Sequence, residues 1–353
     1  MSSALVLKAG PRALALLRDR GLRFEDIDTI PGASGGAKWL SIAGLDRYLF
    51  GEVLRGSRTT PVNLIGSSIG SWRMACLAQR DPVAALERAH HAYIHEQKYS
   101  RKPTTREITG TLVRALDALL GPTGVDDILS HPWARTHVIT AQGRGLADTG
   151  KRSLLASSIA AAALGNIVSR RSLGLQLRRC IFHSGGDVRA FEHLSDLPTL
   201  HVALSRDNCR AALMASGSIP LLVHGVRIPG VAGMHWDGGV LDYHLDLDFG
   251  RADGLVLYPH FYSHIVPGWF DKPLRWRRAS GTNFERVLLI APSAEFVASL
   301  PGGKIPDRQD FYELSDSERI RRWEAVRMAS DRLGDELRNL VSTNTIADHV
   351  RPW

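Results

Sequence analysis

Two serines of this chain sit in the same five-residue pattern. Residues 32–36 read G-A-S-G-G and residues 66–70 read G-S-S-I-G, and both fit G-x-S-x-G. That spacing puts a serine on a tight strand-to-helix turn with its hydroxyl exposed, as attack on a carbonyl requires. Such an attack also needs a base for the hydroxyl proton and backbone N–H groups aimed at the oxyanion. Ser68 meets the local demands: the apolar run Val62–Ile65 precedes it, and Gly66 and Gly70 flank it. A helix of small and apolar residues follows, and its first N–H, at Ile69, points where an oxyanion forms. Ser34 reads better as part of the partner loop. Gly35 and Gly36, just ahead of Lys38, let several N–H groups turn toward one point. The loop before Ser34, "KAGPRA", offers one glycine and a proline that donates nothing. Ser68 is therefore the expected nucleophile.

The base has a weaker local signal. In "MHWDGGVLDYH", Asp237 is followed by Gly238 and Gly239, which free the backbone to bend and let another group come close. Asp-Gly and Gly-Gly are equally the residues of a tight hairpin turn, and the tripeptide alone favours the turn.

Strand-then-helix alternation implies an α/β fold that could position these groups. "DIDTIPG" reads as a strand, with a helix expected through "AKWLSIAGLDRYLF". "PVNLIGSS" reads as a buried strand and "IGSWRMACLAQR" as the helix after it. "ALERAHHAYIHEQKY" and "TREITGTLVRALDALLG" carry helical spacing, and "THVITAQGRG" is again a strand. "TLHVALS", "GLVLYPHF" and "RVLLIAPS" are short apolar runs ending in turn residues, as parallel strands are. The reading is a single domain over 1–353. A mostly helical insertion or lid spans 100–180, and one C-terminal amphipathic helix spans 310–345.

The order of G-G-A-K, G-S-S-I-G, "ASGSIPLL" and D-G-G resembles the patatin-like phospholipase family over about residues 25–250. The resemblance implies a three-layer α/β fold with a mixed central sheet flanked by helices. It also implies a lipid acyl hydrolase or esterase working through a Ser68–Asp237 dyad and an acyl-enzyme. Gly35, Gly36, Ala37 and Ile69 would then form the oxyanion hole, with Lys38, Gly238 and Gly239 in support. The chain departs from the family at Lys38, where Arg is commoner, and at Ala33 and Ser34, where further glycine is frequent. Tyr243 stands where Asn often follows the D-G-G. Two rivals share the motifs: a catalytically silent lipid-binding protein of the same fold, and a soluble carboxylesterase using a Ser-Asp-His triad. His260 or His264 would complete that triad, since both follow Asp237 as its chain order requires. His235 and His244 flank the D-G-G and read as structural or pocket-lining.

Composition narrows the class. With 353 residues, 44% of them hydrophobic and 23% charged, the chain has the balance of a soluble globular protein. Cys76, Cys180 and Cys209 lie far apart without metal-ligand spacing, and no H-E-x-x-H occurs. Neither a metal nor another cofactor is expected. G-x-x-x-x-G-K-[ST] is missing too, which argues against a nucleotide phosphate cradle. The expected location is the cytoplasm, because the N-terminal apolar run is too short for a signal peptide and no window suits a bilayer span.

The net charge of +8 suits nucleic acid, an anionic membrane or an anionic substrate. Scattered arginines without a nucleic-acid-binding signature speak against the first. A lipid or small ester is the expected substrate, and an oligomeric state is not legible. Two segments could bring such an enzyme to an anionic membrane surface. "SLLASSIAAAALGNIVSRRSLGLQLRR" is apolar between Lys151–Arg152 and Arg170, Arg171, Arg178 and Arg179. "PGWFDKPLRWRR" sets Trp269, Phe270 and Trp276 among basic residues. For the first, the small residues favour close packing on the core over a membrane contact.

Overall fold

The computed structural model describes residues 3–56, 58–185, 190–250, 252–279 and 281–353. Among them eleven strands form one mixed sheet flanked by helices. In chain order these are β1 (Leu5–Ala9), β2 (Ile27–Gly32), β3 (Val62–Ser67), β4 (Ala134–Gly143), β5 (Leu177–His183) and β6 (Thr199–Ala203). They are followed by β7 (Val226–Arg227), β8 (Met234–Asp237), β9 (Leu255–Pro259), β10 (Val287–Pro292) and β11 (Val350–Pro352). The spatial order is β11-β1-β10-β9-β2-β3-β4-β5-β6, with β8 also paired to β4 and β7 to β8. From β10 through β4 every pairing is parallel. β9 and β10 are buried at every residue, so both faces of the sheet are covered there.

One detail of register positions the chemistry. β4 is ten residues long and serves two neighbours in turn. Its first part runs parallel to β3, ending with Ser67 opposite Ile139. Its next residues run antiparallel to β8, beginning with Asp237 opposite Thr140. β3 and β8 therefore approach end to end along one side of β4. The residue leaving β3 and the residue ending β8 are forced together.

Several elements differ from the sequence expectation. The helix expected through "AKWLSIAGLDRYLF" is three short pieces: a 3₁₀ segment Gly36–Ile42, an α-helix Ala43–Tyr48 and a π-turn Leu49–Val53. The C-terminal helix expected over 310–345 is likewise divided, into a single turn Asp310–Glu313 and two helices, Asp316–Ala329 and Asp331–Ser342. The break between the two helices falls where Ser330 Oγ accepts the Gly44 N–H at 2.8 Å and donates to Arg327 O. A Cβ at position 44 would stand 2.5 Å from the Ser330 carbonyl oxygen, so this close crossing interrupts the helix. The stretch 100–180 is not simply a helical insertion. It contains the helices Thr105–Leu120 and Arg152–Val168, but also β4 and the start of β5 inside the sheet.

The small-residue segment itself divides. Arg152–Val168 is helical and buries Leu155, Ser158, Ala162 and Asn166 on one face, over a small core that includes Trp236, Leu241 and Phe270. The rest of the segment turns through Arg170–Leu175 and enters β5. Arg178 and Arg179 are thus strand residues, and Arg179 is fully buried, which removes it from any lipid contact. No helix among the described residues is long and apolar enough to cross a membrane.

Candidate active site

Ser68 stands between β3 and the helix Ile69–Leu77, with φ 54° and ψ −133°. Side-chain-bearing residues rarely occupy that region, and holding one there costs roughly 1–3 kcal/mol. The turn is held from below by a close backbone approach. Gly70 rides directly on β2: a Cβ at position 70 would lie 1.9 Å from the Gly32 carbonyl oxygen. Gly32 and Gly66 are paired across β2 and β3, so both elbow glycines belong to this contact. The Ser68 N–H donates to Ser216 Oγ at 2.9 Å, and Ser216 Oγ donates in turn to Ile139 O at 2.7 Å. These bonds fix the backbone, and the hydroxyl is left facing the cleft.

The Ser68 hydroxyl donates to Asp237 Oδ2 at 2.7 Å. The other carboxylate oxygen accepts the Gly239 N–H at 2.7 Å, which sets the plane of the carboxylate. Asp237 is 5% exposed, and burial pushes its pKa up from 3.8 to about 6. The Ser68 and Gly239 hydrogen bonds and the positive charge of Lys272 oppose that rise. The carboxylate is consequently more basic than one in water yet still ionised at neutral pH. The D-G-G is no hairpin tip: Asp237 closes β8 and Gly238–Val240 form a 3₁₀ turn. At position 239 a Cβ would stand 2.4 Å from Ser34 Oγ, so the turn needs glycine to pass that close.

Gly35, Gly36, Ala37, Lys38, Ser68, Ile69, Asp237 and Gly239 all line one cleft of about 860 Å³. Gly36 has φ 56° and begins the 3₁₀ segment, while Ile69 begins its α-helix. The N–H groups of a first turn have no acceptor within their own helix. Gly36, Ala37 and Ile69 therefore bring such donors to the walls around Ser68. Apolar side chains, among them Ile108, Leu112, Ile159 and Phe311, form much of the remaining wall.

Ser34 has a different environment from Ser68. Its Oγ lies 2.6 Å from Ser67 Oγ, and its N–H donates to Tyr243 O at 2.8 Å. Ser67 Oγ donates to Asp242 O at 2.6 Å. This buried chain of hydroxyls ties the glycine loop to the segment after Asp237. The histidines of the three-residue alternative are engaged elsewhere. His260 Nδ1 meets the backbone of Tyr262, His244 Nδ1 accepts from Val266, and His264 stacks on Tyr262. His235 pairs with Thr140 Oγ1 at 2.9 Å. Among the described residues none of these four lines the cleft.

Several contributors lacked a sequence signal. Asp242 is fully buried and held by Arg179 through bonds of 2.7 and 2.8 Å, with Arg170 at 3.0 Å. Arg179 also reaches Asp196 at 2.7 and 2.9 Å. The network clamps the segment that follows Asp237 to β5, and Arg179 was hidden within a basic run that suggested an anionic membrane surface. Lys272 lines the cleft with its Nζ 3.9 Å above the Tyr243 ring. Although the residue is exposed overall, its ammonium lies against that ring. Desolvation there, and then Lys38 and Arg308, lower its pKa, while Asp237 raises it. Lys38, also in the cleft wall, is lowered chiefly by desolvation. Among the described residues no cluster of three His, Cys, Asp or Glu side chains could hold a metal ion.

No family model matches the chain, and no curated protein sequence matches it.

Proposed function

We propose that this chain is a serine hydrolase of carboxylic esters, with a lipid acyl group as the substrate portion that fills the cleft. The observation that carries the reading is the 2.7 Å hydrogen bond from a strained, cleft-facing Ser68 hydroxyl to the buried Asp237 carboxylate. In this reading Asp237 takes the Ser68 proton as Oγ bonds to the ester carbonyl carbon. The carbonyl electron pair moves onto oxygen, where the N–H groups of Gly36, Ala37 and Ile69 receive it. Collapse of the tetrahedral intermediate breaks the bond to the alcohol, which leaves with the proton from Asp237. Water then attacks the acyl-enzyme by the same route, and the acid is released with Ser68 restored. A carboxylate is a weak base for an alcohol, so most of the acceleration must come from the preorganised oxyanion donors. Gly35 and Gly36 ahead of Lys38, with D-G-G in the matching order, support a patatin-like lineage for the site.

A fluorophosphonate probe tests the reading directly. The expected result is a single modified peptide containing Ser68, together with hydrolysis of p-nitrophenyl esters that is lost in Ser68→Ala and Asp237→Ala. An unlabelled Ser68 in folded protein would point instead to a silent lipid-binding role. Labelling at Ser34 would transfer the chemistry to the other pentapeptide.

A further inference from the structure

The helix Arg152–Val168 is apolar almost all round yet lies on the surface. Opposite its buried stripe of Leu155, Ser158, Ala162 and Asn166 run Ser157, Ala160, Ala161, Leu164, Ile167 and Val168. That outer face carries no charge, where a surface helix ordinarily carries several. Its C-terminal half is also the most apolar: Leu164 is 68% exposed and Val168 86%.

Two neighbouring turns enlarge the patch. Leu175, 74% exposed, ends the turn that follows the helix. Trp276, 72% exposed, is brought in by Arg277, whose guanidinium donates to Ile167 O at 3.1 Å. Exposed leucine, isoleucine, valine and tryptophan on one corner of a protein mark an interaction surface.

The charges around it select the partner. Arg171 and Arg275 stand exposed beside the patch, and neither forms an ion pair with a described residue. The sequence from 149 to 186 contains no aspartate or glutamate. A second copy seated symmetrically on this face would set these arginines against their own counterparts, which is repulsive. A bilayer of anionic lipid offers hydrocarbon to the patch and phosphates to the arginines at the same depth, and tryptophan favours that interface. The patch also adjoins the cleft mouth, because Ile159 of the same helix and Trp269 and Phe270 line the cleft.

We propose that the outer face of Arg152–Val168, with Leu175 and Trp276, docks on an anionic lipid bilayer and seats the cleft mouth on it. The expected packing of this segment on the core is met by one face, and the other is left for the membrane.

Co-sedimentation of the full chain with vesicles of ether-linked (dialkyl) lipids, which carry no carboxylic ester, tests this, so the outcome is independent of hydrolysis. Vesicles of ether-linked phosphatidylcholine alone are compared with vesicles containing ether-linked phosphatidylglycerol. The wild type is expected to bind the anionic vesicles, less strongly as salt rises. Leu164→Gln with Val168→Gln should weaken binding about tenfold or more, since two apolar side chains no longer enter the interface. Arg171→Glu and Arg275→Glu should each weaken it about fivefold or more. All four positions are exposed, so thermal unfolding should stay close to wild type and report intact folding. Wild-type protein that ignores anionic vesicles, or variants that bind them equally well, would overturn the proposal. So would a dimer in sedimentation velocity that the Leu164/Val168 variant dissociates, because the face would then belong to a second copy.

Discussion

Replacing Asp237 by asparagine should make this protein more stable above pH 6 while abolishing its proposed activity. The folded carboxyl has its pKa raised from 3.8 to about 6 by burial. Between those values the unfolded chain has released the proton and the folded chain still holds it. Raising the pH through that window therefore favours the unfolded state, and the loss levels off above about 6. At ~1.36 kcal/mol per pH unit, the full loss is about 3 kcal/mol. Asparagine avoids it, because its Oδ1 can still accept the Gly239 N–H and its amide can still meet Ser68 Oγ. For a chain of 353 residues, about 3 kcal/mol corresponds to a rise of about 4 °C in Tm. Thermal unfolding of both proteins at pH 4 and pH 8 checks this. The expected result is near-equality at pH 4 and a stability gain for Asp237→Asn at pH 8. In parallel, wild-type kcat/KM should rise with pH through an apparent pKa near 6, as the base becomes ionised. An asparagine variant that is less stable at pH 8, or equally shifted at both pH values, would refute the idea of a costly buried carboxylate.

Three other substitutions follow from the same geometry. Ser68→Gly should be more stable than Ser68→Ala by about 1 kcal/mol, measured by urea denaturation. Both lose the hydroxyl, and only alanine keeps a Cβ at φ 54°. Ser34→Ala should keep ester hydrolysis within a few-fold of wild type and cost about 1 kcal/mol, since it breaks a buried hydroxyl pair but leaves the Ser68–Asp237 hydrogen bond in place. Arg179→Met should destabilise by about 3–5 kcal/mol, because it leaves the fully buried Asp242 with much of its charge uncompensated.

Local pattern went far in this chain. Apolar runs ending in turn residues disclosed β2, β3, β4, β6, β9 and β10, and β9 and β10 are continuous hydrophobic stretches because both of their faces are covered. G-S-S-I-G disclosed the elbow at Ser68, because its strained backbone needs small neighbours in adjacent positions. Strands with weaker signals were missed. β8 is only four residues long, and β5 begins inside a basic segment whose arginines suggested contact with an anionic membrane. The broken C-terminal helix was equally hidden, because its interruption comes from Gly44, nearly three hundred positions away.

By itself the sequence determined which side chains could react and the order in which the chain presents them. It could not say that Asp237 meets Ser68 rather than capping a hairpin, because 169 positions separate them. That meeting depends on β4 pairing first with β3 and then with β8, and long-range register is not written in either motif. The same holds for the buried clamp on Asp242 and for the outward face of Arg152–Val168. Both exist only once distant segments have packed, since burial is a property of neighbours and not of composition.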